Sequence, residues 1–480
     1  MFHETSTLLK TVMKAIEALS VPAKAAFAAE VVVLGGLSGE AASSNEVRAA
    51  YEDYVNSSDN FLNVTFIPAA NPDAEPLSFP PAEPAYGSNW TATMLWHWLS
   101  AHAPDVVIIT GDDEAGLGTA LDAGIAGLGN IASFRLEYQK QLKAALTGRK
   151  LFPESAAHTA LLARSARSAD TMAKGLAGVY GQELKALTYI PAVALIGRLQ
   201  LGQVQQVEQI VASQLDTLES LKITSSLQIA GHLLFGELAE RSKNPRYLAL
   251  ARRAADLGWD ANGTMLEAMP FNGDYSDAFF METPLLAKVG KLTGEQRYFD
   301  MGLKHVEFLQ AKLLRGDGLY NHWPKAEAAW GRGNAFAALG LALALSDLPT
   351  QQPAHKRLLE IFRAHMNALL QHQDVDGMWH NVINMRESWP EFSATTMIAT
   401  AIQRGVDRGW LDSFYQNAVD RAWEGVVART DEMWGFIDVC ESTVGQDSLT
   451  AYLNRKALSG RDDRAGGMLL LFATERPRQR

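Results

Sequence analysis

The chain has 480 residues, 47% apolar and 20% charged, which is long enough for two domains and able to bury a large core. Lys and Arg number 43 against 54 Asp and Glu, a net charge of −11. That balance excludes a general attraction for nucleic acid or anionic lipid, so an acidic ligand must be held by a few placed cations.

The opening residues, Met1-Phe2-His3-Glu4, lack a basic stretch followed by an apolar run, so no secretory leader is expected. No later segment approaches the roughly 18 uninterrupted apolar residues of a spanning helix. A cytoplasmic protein without membrane association is therefore the expectation. From about Glu30 to Asn130 the texture is α/β. Val31-Val32-Val33-Leu34 runs into Gly35-Gly36, Val64-Thr65-Phe66-Ile67 precedes a loop from Pro68 to Pro84, and Val106-Val107-Ile108-Ile109 ends at Gly111. Short β-branched runs that stop at glycine or polar loops predict buried parallel strands. Residues 1–150 are assigned to this α/β domain.

After about Lys150 the strand signal ends, and residues 151–480 read as amphipathic helices of roughly 12 to 18 residues between short Gly, Pro, Asn or Asp breaks. A loose repeat is visible. Tyr247 and Tyr298, each opening a helix, lie 51 residues apart, and the turns at Asp317-Gly318 and Asp376-Gly377 lie 59 apart. Periods near 50 fit helical hairpins, about six of which fill this region. Such hairpins stack into an open solenoid or a closed ring, and periodicity does not separate the two. A closed α/α barrel is preferred, because it gathers the aromatic and charged turns at one mouth.

Three segments carry the chemistry. Asp277 follows Gly273-Asp274-Tyr275-Ser276 and precedes an apolar helix predicted over Ala278 to Val289. One reading is a charge that complements the helix dipole. The sharper reading is a general acid tuned by the aromatic residues Phe279, Tyr275 and Trp330. Gly318-Leu319-Tyr320-Asn321-His322-Trp323 places His322 after an Asp-Gly turn, where a surface histidine is the plain alternative. Trp330-Gly331-Arg332-Gly333-Asn334 offers a flat face, a cation, and two glycines that let a ligand approach the backbone. It reads equally as a loop entering a helix from Ala335 to Leu345 with Asn334 as its cap. A proton donor, a cation and aromatic faces together suit a sugar acid.

These segments resemble the family 105 glycoside hydrolases and their family 88 relatives. The resemblance is carried by Asp-x-x-Phe-Met with Pro-Leu-Leu-Ala-Lys-x-Gly-Lys-Leu-Thr-Gly, by Leu-Tyr-x-His and by Trp-Gly-Arg-Gly-Asn. Asp376 to His380, Glu391 to Thr395, and Cys440 to Arg455 extend it. It covers roughly residues 180 to 475. It implies an (α/α)6 barrel and hydration of a C4=C5 unsaturated uronic acid at the end of a small oligosaccharide left by a polysaccharide lyase. Asp277 then takes the acid/base role. His322, Trp330, Arg332 and Asn334 take substrate-binding roles, with Trp379 and His380 as further candidates. Arg332 becomes the forked partner of the substrate carboxylate. No metal or organic cofactor is required. The family's second Asp has no counterpart: its place falls near Ser226, whose hydroxyl is able to order a water but carries no charge. That gap motivates an alternative, a non-catalytic sugar-acid binding protein descended from such an enzyme.

The N-terminal region faintly resembles the zinc carboxypeptidases, through Gly35-Gly36-Leu37-Ser38-Gly39-Glu40-Ala41 and Asn71-Pro72-Asp73. Ser38 and Ala41 replace the His and Glu that would ligate zinc, so a metal-free domain is expected, open to a role at the barrel mouth or in a homo-oligomer contact. An unrelated small α/β domain is the equal alternative. A peptidase acting through this region is a third reading. No Gly-x-Ser-x-Gly, phosphate-binding glycine loop or His-Glu-x-x-His occurs. The one cysteine, Cys440, allows no intrachain disulfide.

Overall fold

The computed structural model describes residues 16–476 except 25–27, 59, 82–89, 126–127, 137–138, 148–151 and 243. It divides into residues 1–166 with 427–433 and 454–458, and the remainder.

In the first unit the elements run β1 (Leu19–Val21), β2 (Glu30–Leu34), α1 (Ala41–Val55), β3 (Asn63–Ile67), α2 (Trp90–His102), β4 (Val106–Thr110), α3 (Leu117–Ala123), β5 (Ala132–Leu136), α4 (Gln139–Leu146) and α5 (Ala156–Ser165). The strand order is β1-β3-β2-β4-β5. The three strands expected from the β-branched runs are parallel neighbours, with Val31 opposite Val64 on one side and Val106 on the other. Period-two alternation serves both faces. Val31 and Val33 pack with Val47 of α1 and Leu142 of α4, while Val32 and Leu34 pack with Leu95 of α2 and Leu121 of α3. Two edge strands were not anticipated. β1 is only three residues long, and β5, Ala-Ser-Phe-Arg-Leu, is half exposed and lacks a β-branched run. Ser38 and Glu40 of the glycine turn are exposed. Among the described residues, no group of three or more His, Cys, Asp or Glu is placed to hold a metal.

The second unit is helical: α6 (Ala169–Ala177), α7 (Tyr189–Gln200), α8 (Val204–Ala212), α9 (Leu215–Ser220), α10 (Ser226–Gly231), α11 (Leu233–Arg241), α12 (Pro245–Ala255), α13 (Ala278–Met281), α14 (Thr283–Thr293), α15 (Gln296–Leu313), α16 (Gly331–Asp347), α17 (Pro353–Leu370), α18 (Phe392–Asp407), α19 (Gln416–Ala428), β6 (Phe436–Cys440), α20 (Leu449–Leu453) and α21 (Asp463–Glu475). Composition sorts them. Helices apolar on all sides must be enclosed, and one-faced helices lie outside. Helix α16, nearly all Ala, Leu and Gly, is buried along its length, whereas α15 buries only one stripe, including Tyr298, Met301, His305 and Leu309.

The enclosed helices close a ring. α7 packs on α10 and α11, α11 on α14, α13 and α14 on α16, α16 on α18, α18 on α21, and α21 returns to α7. Outer helices cover them, α12 and α15 on α14 and α17 on α16. This is the (α/α)6 barrel of the sequence reading, and the open solenoid is discarded. The helix expected over Ala278 to Val289 is broken at Glu282, and Pro284 follows, removing an amide donor where the segment bends. Where the inner helices end, a cavity of about 720 Å3 is lined by Glu237, Glu240, Lys288, Asp347, Arg404 and Glu475 among others.

Candidate active site

The chemistry-bearing segments lie where the inner helices begin. Asp277 immediately precedes α13 in helical conformation, and its side chain makes no capping bond. Oδ1 is enclosed and faces Nε2 of His322 at 3.3 Å, while the side chain as a whole keeps about a quarter of its exposure.

His322 is a core residue rather than a surface one. Its ring lies between Trp330, centroids 4.3 Å apart, and Tyr275, 5.1 Å apart. Nδ1 meets the Tyr452 hydroxyl at 2.7 Å, and that oxygen accepts the Gln446 N–H. With the phenol proton given to Nδ1, the ring proton sits on Nε2, which stands 3.3 Å from Asp277 Oδ1, an atom that makes no hydrogen bond among the described residues. Trp323 continues the aromatic wall, stacked on Tyr275 and donating its indole N–H to Gln446 O at 2.8 Å.

Helix α16 starts at Gly331, four residues earlier than expected, so the whole Gly-Arg-Gly-Asn string lies in its first turn. Gly331 and Gly333 serve backbone packing rather than ligand approach. A Cβ at Gly333 would fall 2.3 Å from Ser276 Oγ, and one at Gly331 would fall 2.3 Å from the His380 carbonyl oxygen. Gly333 thus lets the Asp277 segment reach α16.

Arg332 is buried, stacked over Trp330 with 4.8 Å from guanidinium carbon to ring centroid. Nη1 donates to Cys440 O at 2.6 Å and Nη2 to Glu441 O. The forked contact to a substrate carboxylate is therefore revised, since both terminal nitrogens already serve main-chain oxygens and the residue contributes fixed charge beneath Trp330. Arg464, at the head of α21, donates to Tyr189 Oη at 2.8 Å and reaches Cys440 O at 3.4 Å. Glu391 caps α18 through Ser393 and Ala394 and also accepts the Cys440 N–H at 2.9 Å. The Cys440 peptide thereby ties together the starts of α16, α18 and α21.

The structure brings Asp277, His322, Trp330 and Arg332 into one cluster. Asn334 supports it indirectly: its amide accepts from Tyr320 N and donates to Tyr320 O and Trp330 O, fixing the His322 turn to α16. Trp379 is enclosed with its N–H on Leu369 O, and His380 pairs with Asp374 at 2.9 Å, so both side chains are engaged in holding their own turn. Ser226 opens α10, half-exposed. Phe279 turns into the core against Tyr320 rather than toward Asp277. Arg464 escaped the sequence reading. The signal that flagged Arg332, a cation leading an apolar helix with glycines, also stands at Arg464-Ala465-Gly466-Gly467.

The profile of Glycosyl Hydrolase Family 88 matches residues 203–479. An unsaturated rhamnogalacturonyl hydrolase of Bacillus subtilis is 30% identical over 139 residues, 27% of this chain and 40% of that protein. An unsaturated 3S-rhamnoglycuronyl hydrolase of an Alteromonas species is 27% identical over 173 residues, 33% of this chain and 42% of that protein. The matches thus span less than half the length of these curated relatives. Among solved structures, a possible member of the GH105 family from Salmonella enterica superposes with TM-score 0.55 at 19% identity, covering 71% of this chain and 98% of that one. A family 88 glycosyl hydrolase from Bacteroides vulgatus gives 0.53 at 16% identity, covering 64% and 99%. At such identities these structures show the shared fold.

Proposed function

The chain belongs to glycosyl hydrolase family 88, and from that premise we propose that it hydrolyses small oligosaccharides ending in a C4=C5 unsaturated uronic acid. The observation that carries the reading is the partly open Asp277 carboxyl, with one oxygen 3.3 Å from His322 and the rings of Tyr275 and Trp330 against that imidazole.

In this proposal Asp277 gives its proton to C4 of the enol ether, and positive charge develops at C5 and the ring oxygen. Water adds at C5 and returns a proton to the Asp277 carboxylate, which restores the acid. The hemiketal so formed opens, and the remaining sugar leaves from C1. His322 orients the carboxyl through Nε2, and the partly exposed rings of Tyr275 and Trp323 provide faces for sugar rings, with Trp330 enclosed behind His322. The start of α16 and the fixed charge of Arg332 favour the uronate's negative charge at this end of the barrel. Ser226 opens another inner helix and is proposed to contact the uronide's hydroxyl side. A cytoplasmic setting belongs to the same proposal and is supported by the single buried thiol of Cys440, which leaves the fold no disulfide to depend on.

The test is incubation with unsaturated disaccharides generated by lyases from pectin, rhamnogalacturonan and glycosaminoglycans, following absorbance of the conjugated double bond. Decay with at least one substrate class is expected. Unchanged absorbance across all three, or calorimetric binding without consumption, would count against the reading.

A further inference from the structure

His322 leads into a hairpin that turns at Trp323-Pro324-Lys325-Ala326. Trp323 and Ala326 pair across the turn, and the His322 N–H bonds Ala328 O at 3.0 Å. Proline fixes its own φ, so the backbone position of Lys325 is set while its long stem keeps its reach.

From the acid outward, the contacts form a continuous series. Asp277 faces His322 at 3.3 Å, and that imidazole lies 5.1 Å from the Tyr275 ring. Tyr275 stacks on Trp323 with centroids 5.9 Å apart, and the Lys325 ammonium stands 4.9 Å over the Trp323 ring. Exposure rises along the series, from buried His322 through half-buried Tyr275 and Trp323 to exposed Lys325. The series therefore runs from the reacting carboxyl to solvent.

Trp323 is fixed by its neighbours. Its indole N–H bonds Gln446 O at 2.8 Å, and a Cβ at Gly445 would fall 2.5 to 2.9 Å from Cδ2, Cε2 and Cε3 of the ring. Glycine there lets the backbone lie against the indole. Lys325 has no such anchor: among the described residues its ammonium makes no ion pair and no hydrogen bond, even with Glu327 two residues on. Other cations on the neighbouring segments are engaged. Lys312 holds Asp274 at 2.8 Å, Arg315 holds Asp317, Arg332 serves two main-chain oxygens and Arg464 serves Tyr189. An ammonium over an exposed indole is held weakly, and an anion that accepts a charge-assisted hydrogen bond holds it more strongly.

Resting on the chemistry proposed at Asp277, we propose that Lys325 is a specificity-determining residue. It receives a negatively charged group, a sulfate or a carboxylate, on the sugar attached at C1 of the unsaturated uronate. The order of the contacts gives the assignment. The unsaturated ring must reach Asp277 and so lies by His322 and Tyr275. The next sugar lies further out, at Trp323, and Lys325 is the cation that stands there. In a chain of net charge −11 the overall field gives an anionic sugar no help, so one placed ammonium decides between charged and uncharged partners. A lysine suits this task because its flexible stem lets the charge follow the anion.

The experiment measures a ratio. Wild type, Lys325→Met and Lys325→Arg are each given matched pairs of lyase-generated unsaturated disaccharides. One pair, from chondroitin, has the second sugar with or without sulfate; the other, from pectin, has its carboxylate ionised or methyl-esterified. Wild type should favour the charged member of at least one pair, and which pair responds tells sulfate from carboxylate. In K325M the kcat/KM of charged over uncharged should fall about three- to fivefold, the reach of an exposed ion pair. K325R keeps the charge and should recover most of that ratio. Raising ionic strength should lower the ratio in wild type and leave it level in K325M, a response that a merely structural role would not give. A ratio unmoved in K325M, or an equal loss on both members of each pair, would overturn the proposal. Absence of wild-type turnover on every substrate would sink the reading at Asp277 instead, and calorimetric Kd ratios for the same pairs would then decide Lys325.

Discussion

His322 Nε2 stands 3.3 Å from Asp277 Oδ1, although the two residues are 45 positions apart and sit on different turns of the barrel. The Ser276 N–H on His322 O at 2.9 Å locks the two turns together beside that contact. The carboxyl is aimed by the backbone as well as by the imidazole.

Replacing the acid with its amide keeps shape and removes the proton. Asp277→Asn should lower kcat by about 10²–10⁴-fold, the usual reach of a general acid. Circular dichroism and melting should stay near wild type, because the side chain makes no capping bond. A folded D277N with wild-type turnover would place the acid elsewhere.

Tyr452 tests the orientation of the imidazole. Tyr452→Phe removes the 2.7 Å partner of His322 Nδ1 and the acceptor of the Gln446 N–H, while the ring still packs. A misaligned catalytic contact is costly, and kcat should fall about tenfold or more with KM changed little. Steady-state kinetics on one disaccharide would read this directly.

Gly333→Ala puts a methyl 2.3 Å from Ser276 Oγ, where the segment bearing Asp277 meets α16. Overpacking of this kind costs about 1–3 kcal/mol. Here it should also displace the acid, so activity should drop further than the loss of stability explains. A variant that melts lower but keeps full kcat would separate this contact from the chemistry.

At the other end of the barrel, Lys288 is enclosed and bonded to Glu237, Glu240 and Asp347 at 2.8 to 2.9 Å. Burial works to raise the Glu240 carboxyl, but Lys288 and Lys291 outweigh it and bring it down to about 2 from 4.5. A depressed carboxyl stabilises the fold above 4.5 and loses its contribution as pH falls toward 2. Denaturant titrations should show stability dropping across that window. Lys288→Met should cost about 3–5 kcal/mol at neutral pH by removing the enclosed cation shared by three carboxylates, which keep only Lys291 and Arg241 as partners, and it should flatten the acid response.

What the sequence alone determined follows from local patterning. Val31 to Leu34 and Val106 to Ile109 announce buried strands because β-branched residues ending at glycine suit little else. The near-50 spacing of Tyr247 and Tyr298 predicts stacked hairpins, since each exposes an apolar stripe that only a neighbour can cover. The positions of Asp277, His322, Trp330 and Arg332 were legible because short motifs keep their residues adjacent. Tertiary structure decided what those residues face. The carbonyls that occupy Arg332 belong to Cys440 and Glu441, more than 100 positions away. The glycines beside it answer to Ser276 and His380. Glu282 reads as an ordinary helix residue until the helix breaks there and α15 encloses it. Hydrogen-bond partners, close approaches and desolvation are properties of segments brought together through space, and the order of residues along a chain does not carry them.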